Sequence, residues 1–225
     1  MMDWRKALAI AKKDLRVEFR SRATIQFLLL FSFITLLMFN FASPPFSPAL
    51  REVGPGLLWF VFIFAGMLGL SRAFIKEKEL GTLEGLMLAP VGGVEIVLGK
   101  VIYNLCLILL VELFSLPLFI ALFDYRVAGS MLDLVMVLTL GLLGFVVVGS
   151  FVSAVIMGAR GRELVLQVVA MPLLLPVVIP TILALRRVMA DGAPLVRIGE
   201  VRLVLAYIII MSTLSFLLSD SVLEE

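Results

Sequence analysis

Six long apolar runs, separated by short polar stretches, constrain this chain more than any other feature. They fall at about 23–42, 55–74, 94–123, 131–157, 164–185 and 201–218. A helix needs roughly 20 mostly apolar residues to cross the ~30 Å hydrocarbon core of a bilayer. Lipid offers no hydrogen bonds, so a spanning segment must satisfy its own backbone, which a helix does. Composition agrees: 62% of the 225 residues are hydrophobic, 16% are charged and the mean hydropathy is +1.14. Soluble domains carry about a quarter charged residues. The predicted fold is all-α, a polytopic membrane protein of six transmembrane helices forming one domain over 1–225. The third run has thirty residues and makes a helix of roughly 45 Å, so it tilts or projects into water.

The residues that are missing narrow the chemistry. There is no histidine, and the single cysteine, Cys106, lies inside an apolar run. That excludes an intrachain disulfide, HExxH zinc chemistry and histidine-ligated haem. No Ser/His pair and no paired intramembrane acids suggest an enzyme. No firmly bound cofactor and no nucleic-acid partner is expected. Nor is the N-terminus expected to be a signal peptide, since residues 1–22 carry seven Lys/Arg and no continuous apolar core.

Basic residues set the orientation. With the N-terminus in the cytoplasm, thirteen Lys/Arg fall inside: seven before the first span, then Arg72, Lys76, Lys78, Lys100, Arg160 and Arg162. Six fall outside: Arg51, Arg126, Arg186, Arg187, Arg197 and Arg202. Both termini are therefore predicted cytoplasmic. The cluster after the fifth span runs against this rule. It is either an external segment partly offset by Asp191 and Glu200, or a sign that one span is miscounted.

Residues 2–21 read as a different object. Trp4, Leu8, Ala11, Leu15 and Phe19 recur every three or four residues and form one apolar stripe. Arg5, Lys12, Lys13, Arg16 and Arg20 lie mostly off it. Such a basic amphipathic helix is expected to lie on the anionic inner leaflet and contact membrane lipid; the plainer alternative is topogenic charge with no further role.

The longest informative polar stretch is Arg72 to Pro90, RAFIKEKELGTLEGLMLAP. Gly81 turns the chain, Thr82 can cap a short helix, and Glu84 sits in its first turn. Leu83, Leu86 and Met87 share a face, and Pro90 with Gly92-Gly93 ends the segment. This is either a rigid handle for a cytoplasmic partner or an ordinary re-entry loop.

The stretch Glu77–Pro90, EKELGTLEGLMLAP, resembles the coupling segment of ABC-2 type permeases. Further stretches resemble one branch of them: Gly54-Pro-Gly-Leu-Leu-Trp59, Phe64-Ala-Gly-Met-Leu-Gly-Leu-Ser-Arg72, Leu98-Gly-Lys100 and the proline-spaced Met171–Pro180. Together they are similar to the haem exporter protein B family of cytochrome c maturation. The resemblance covers nearly the whole chain and implies a single ABC-2 type permease domain in the inner, or cytoplasmic, membrane. It implies that Gly81, Thr82, Leu83, Glu84, Leu86, Met87 and Pro90 couple to a separate ATP-binding subunit, where ATP is held. Haem would be a transported substrate and a haem chaperone a further partner. Two roles fit: export of haem, or release of the haem-loaded chaperone. An ABC-2 permease for a drug, lipid or polysaccharide shares the handle, and a non-transporting assembly scaffold is the rival of another class.

The chain itself carries no P-loop, which needs G-x-x-x-x-G-K-[ST]. The nearest approach, Gly93 to Gly99-Lys100-Val101, has five intervening residues and valine in place of the hydroxyl. Six spans are few for a complete exporter, so a second permease copy or a different haem-handling membrane subunit is expected.

Other residues stand out within the spans. Glu112 sits near the middle of the third run, where a charge costs about 2.5–3.5 kcal/mol on insertion scales. It is a polar site on a substrate path or a hydrogen-bond anchor, unless the long helix carries it to an interface. Asn104, eight residues earlier, is expected to share its environment. Pro172, Pro176 and Pro180 repeat every four residues in the fifth span and form a candidate hinge: a flexible or broken helix, a static kink, or a re-entrant hairpin. Gly149, Ser150, Ser153, Ala154 and Gly158 are spaced for close helix packing, within the chain or between chains. Trp59 is expected to anchor at an interface.

Overall fold

A computed structural model describes residues 3–42, 48–79, 91–156 and 162–223. Among them are seven α-helices and no strand: α1 Trp4–Ser21, α2 Ala23–Ala42, α3 Pro48–Glu79, α4 Gly93–Phe123, α5 Met131–Val155, α6 Arg162–Met189 and α7 Gly199–Leu223. A 3-10 turn, Leu195–Arg197, precedes α7. Six helices, α2 to α7, are long and apolar enough to cross a membrane.

The boundaries depart from the hydropathy reading where polar residues continue a helix. α3 starts at Pro48 and not Pro55, and it runs on to Glu79. Pro55 lies inside the helix and withdraws the N–H that the Arg51 carbonyl would otherwise accept. α6 runs through Arg186 and Arg187, which occupy its last turn and not the following loop. That is where cations complement the helix dipole.

α3 and α5 are the most enclosed spans, while α2 and α7 show most of their surface outward. The core holds Trp59, Phe62, Phe119 and Phe145, all fully buried. Trp59 is thus no interfacial anchor. Its ring meets Phe62 and Phe145 at centroid separations of 6.4 Å each, and Gly141 leaves room for it: a Cβ there would lie 2.7 Å from the indole.

The small residues of α5 serve packing within the chain. A Cβ on Gly149 would fall 2.2 Å from a Leu70 methyl. The Ser153 hydroxyl donates to the Leu70 carbonyl at 3.3 Å, and the Asn104 amide donates to the Ser150 hydroxyl at 3.2 Å. Gly158 lies outside the described residues.

The end of the bundle away from α1 is tied by its loops. The Ala128 N–H donates to the Met189 carbonyl at 2.9 Å. Arg186 pairs with Glu52 at 3.3 Å and Arg187 with Glu200 at 2.8 Å. Three of these four side chains are exposed and Glu200 is partly buried; such surface pairs add about 0–1 kcal/mol each, but they offset two of the cations that opposed the charge rule. Glu52, absent from the sequence argument, takes the place given there to Asp191.

Candidate functional site

α4 carries two polar regions of opposite character. The first lies in its opening turns, against α1. Asp3 caps α1 through its side chain, and its N–H donates to Glu95 at 3.1 Å. Lys100, counted above as a loop cation, is 1% exposed within α4. Its ammonium lies 2.7 Å from Asp14, which is also 3.1 Å from Lys13. One turn on, the Tyr103 hydroxyl donates to Glu18 at 3.1 Å. Glu18 also accepts the Thr24 N–H at 3.2 Å, while its carbonyl accepts the Arg22 N–H at 2.7 Å. Arg22 adopts the left-handed conformation, φ 56°, so one residue joins α1 to α2. Gly99 allows the approach: a Cβ there would meet Ile10 at 2.8 Å and the Ala7 carbonyl at 3.0 Å.

This changes the reading of α1. Its buried face is Ala7, Ile10, Ala11 and Glu18, and of the expected apolar stripe only Ala11 belongs to it. Trp4, Leu8 and Phe19 are exposed, turned away from α4. The sequence signal missed here was the acidic pair Asp14 and Glu18, one turn apart and facing Lys100 and Tyr103.

The second region is Glu112, eleven residues before the end of α4, about 16 Å along the axis and so near mid-bilayer. It is 4% exposed. The Thr139 hydroxyl of α5 lies 3.3 Å from each carboxylate oxygen. One hydroxyl gives one hydrogen, and an ionised carboxylate accepts at about four sites. The carboxyl lines a cavity of 640 Å³ between α4 and α5. Leu109, Leu113, Leu116 and Ile120 supply one wall at helical spacing, and Met131 and Val135 supply the other. The cavity therefore runs from mid-membrane to the end where α4 stops and α5 starts. It opens sideways: Leu113 is 77% exposed. Pro117, also in the wall, leaves the Leu113 carbonyl without its usual helical donor.

Asn104 does not join this site. It borders a separate void of about 10 Å³ with Gly66, Gly69 and Leu70. Eight residues advance a helix by about 12 Å and turn it by about 80°, which separates the two side chains. Thr139 and Pro117, which the sequence reading passed over, are the residues that share the cavity with Glu112.

The proline span is neither broken nor a hairpin: α6 continues through Pro172, Pro176 and Pro180. Neighbours reinforce it. The Tyr207 hydroxyl of α7 donates to the Leu173 carbonyl at 2.8 Å, and the Thr181 hydroxyl to the Val177 carbonyl at 2.7 Å. These bonds are additional to the helical ones, because Leu173 and Val177 still face N–H groups four residues on; the carbonyls the prolines free are those of Val168, Pro172 and Pro176. The segment Gly81, Thr82, Leu83, Glu84, Leu86, Met87 and Pro90 lies outside the described residues. What flanks it is α3, ending at Glu79, and α4, beginning at Gly93.

A six-span helical bundle with an apolar groove bearing one carboxyl and an appended terminal helix fits a multi-pass membrane permease subunit. The chain belongs to the CcmB protein family, which it matches over residues 5–223. It is 30% identical over 190 residues to heme exporter protein B of Paracoccus denitrificans, covering 84% of this chain and 86% of that protein. It is 29% identical over 171 residues to heme exporter protein B of Rhodobacter capsulatus, covering 76% and 78%. The match to heme exporter protein B of Escherichia coli is 36% over 101 residues, and there the chain spans 44% of the relative's length.

Proposed function

We propose that this chain is the membrane subunit of an ABC complex that exports haem for c-type cytochrome biogenesis. The observation that carries the reading is the family match over residues 5–223 together with relatives named heme exporter protein B. ATP is hydrolysed on a separate subunit, because the sequence offers only a defective P-loop around Lys100, and that lysine is held by Asp14.

The mechanism follows from connectivity. The segment 81–90 docks on the ATP-binding subunit through Leu83, Glu84, Leu86 and Met87. It feeds into α4 within three residues, and α4 is latched to α1. Force on the segment therefore moves α4 and α1 together and displaces the wall that holds Glu112. The chain sits in the cytoplasmic membrane with both termini inside, so that segment 81–90 faces the cytoplasm. A second permease copy or another haem-handling membrane subunit completes the complex, and a haem chaperone receives the cargo on the far side.

The test is replacement of the chromosomal copy by Glu84→Lys or Leu86→Asp variants. Both are expected to lose the copurifying ATPase and mature c-type cytochromes while retaining normal membrane levels of the chain. Normal cytochrome maturation in cells lacking the chain altogether would end the reading.

A further inference from the structure

We propose that the groove between α4 and α5 is a seat for ferric porphyrin, with the Glu112 carboxylate as counter-charge to the metal-bearing core. The proposal rests on the haem-export reading above and assigns the cargo a place. Three observations carry it.

The first is size and shape. A volume of 640 Å³ lies within the roughly 300–1,000 Å³ of sites that take drug-sized ligands. From Leu109 to Ala121 the α4 wall extends about 18 Å. The groove is thus an elongated slot that opens sideways past Leu113 and reaches from mid-membrane to the end of the bundle that faces outward in the proposed orientation.

The second is the distribution of polarity. Apart from Glu112 and Thr139 the walls are hydrocarbon. Haem is a flat apolar macrocycle with two propionates on one edge. Inserted apolar edge first, it covers those walls and leaves its propionates at the outward mouth. There the loop after α4 carries Arg126, which is exposed.

The third is charge. A mid-membrane carboxyl with one donor needs a positive or hydrogen-donating partner. The ferric porphyrin core carries one net positive charge; the ferrous core is neutral. A phospholipid chain in the slot would leave the carboxyl with Thr139 alone. A second copy of this chain would bring hydroxyl and amide donors but, among the described spans, no cation well inside a span besides Lys100, which Asp14 engages; the test below separates that case. With no histidine in the chain, the seat offers no imidazole ligand, only the weaker Met131 thioether, which suits a molecule that must be released.

The experiment is titration of the purified full chain, in phospholipid nanodiscs, with hemin, followed by the Soret band. Wild type is expected to bind saturably above empty nanodiscs. Glu112→Gln is expected to weaken ferric binding about ten-fold or more, the scale of one modest charge interaction, and to leave dithionite-reduced haem nearly unaffected. Val135→Trp, which places an indole across the slot, should abolish both. The melting temperature of each variant in detergent controls for folding. The proposal is overturned if wild type binds no more hemin than empty nanodiscs, if Val135→Trp binds as wild type does, or if Glu112→Gln weakens both oxidation states equally. It is also overturned if Val135→Trp keeps hemin binding but strips a neighbouring membrane span from the native complex, for then the groove docks a helix. Any of these, with cytochrome maturation still dependent on the chain, removes the seat and leaves the export reading standing.

Discussion

The first three turns of α4 and its middle carry the same kinds of side chain in opposite circumstances. Lys100 and Tyr103 are matched by Asp14 and Glu18 across a close helix contact. Glu112 has one hydroxyl and a large open cavity. Where each polar group in lipid has a partner, polarity fixes one helix to another. Where a charge is left under-partnered beside a cavity, its cost is retained for something the isolated chain does not hold. Polarity within a span is therefore not a functional signal in itself, nor is a lone unpaired atom, since Trp59 Nε1 and Ser115 Oγ are also buried without a partner; a sparsely partnered carboxyl beside a groove is one.

The sharpest way to break this contrast is Asp14→Ala. It removes the carboxylate from a lysine that is 1% exposed, and should destabilise by about 3 kcal/mol, the low end for a broken buried pair, since Asp14 itself keeps 11% exposure. The double variant Asp14→Ala/Lys100→Met should recover most of that loss, read as thermal melting in detergent. A double variant as unstable as the single one would mean that the pair is not what holds α1.

Gly99→Leu probes the same seam by volume. Overpacking costs about 1–3 kcal/mol, and the added side chain would displace Ile10 and the Ala7 backbone. Faster tryptic cleavage at Arg16 and Arg20, with the remaining bundle intact, is the expected readout; an unchanged rate argues against close seating of α1.

Tyr207→Phe removes one donor from the proline-bearing span. Interhelical hydrogen bonds in membranes average about 0.6 kcal/mol, so a small drop in melting temperature is expected. A large one would make α6 far more dependent on α7 than its continuous helix suggests.

Glu112→Gln should cost no stability and should raise it, since it keeps the shape and the Thr139 contact while removing a mid-membrane charge that insertion scales place at about 2.5–3.5 kcal/mol. Equal losses from Asp14→Ala and Glu112→Gln would erase the distinction between the two regions.

Much of this was legible in the chain itself. Hydropathy gave six spans to within a few residues, because solubility in lipid is a property of each run taken alone. Glu112 also stood out, since a charge among hydrocarbon is conspicuous without any structure. Partners were harder. Lys100 looked like a loop cation because its distance from the helix start was invisible. Trp59 looked like an anchor because tryptophan favours interfaces, whereas here two aromatic neighbours, Phe62 and Phe145, and a facing glycine, Gly141, enclose it.

The sequence by itself determined a helical, six-span membrane protein with a basic terminal helix and one anomalous carboxyl, because each of those follows from local composition and the thickness of a bilayer. Only the tertiary structure decided that α1 is latched to α4, that Asn104 and Glu112 occupy separate environments, and that Glu112 opens on a half-membrane groove. Those depend on which helix faces which across the bundle, and that is set by side-chain shape and pairing between segments far apart in the chain.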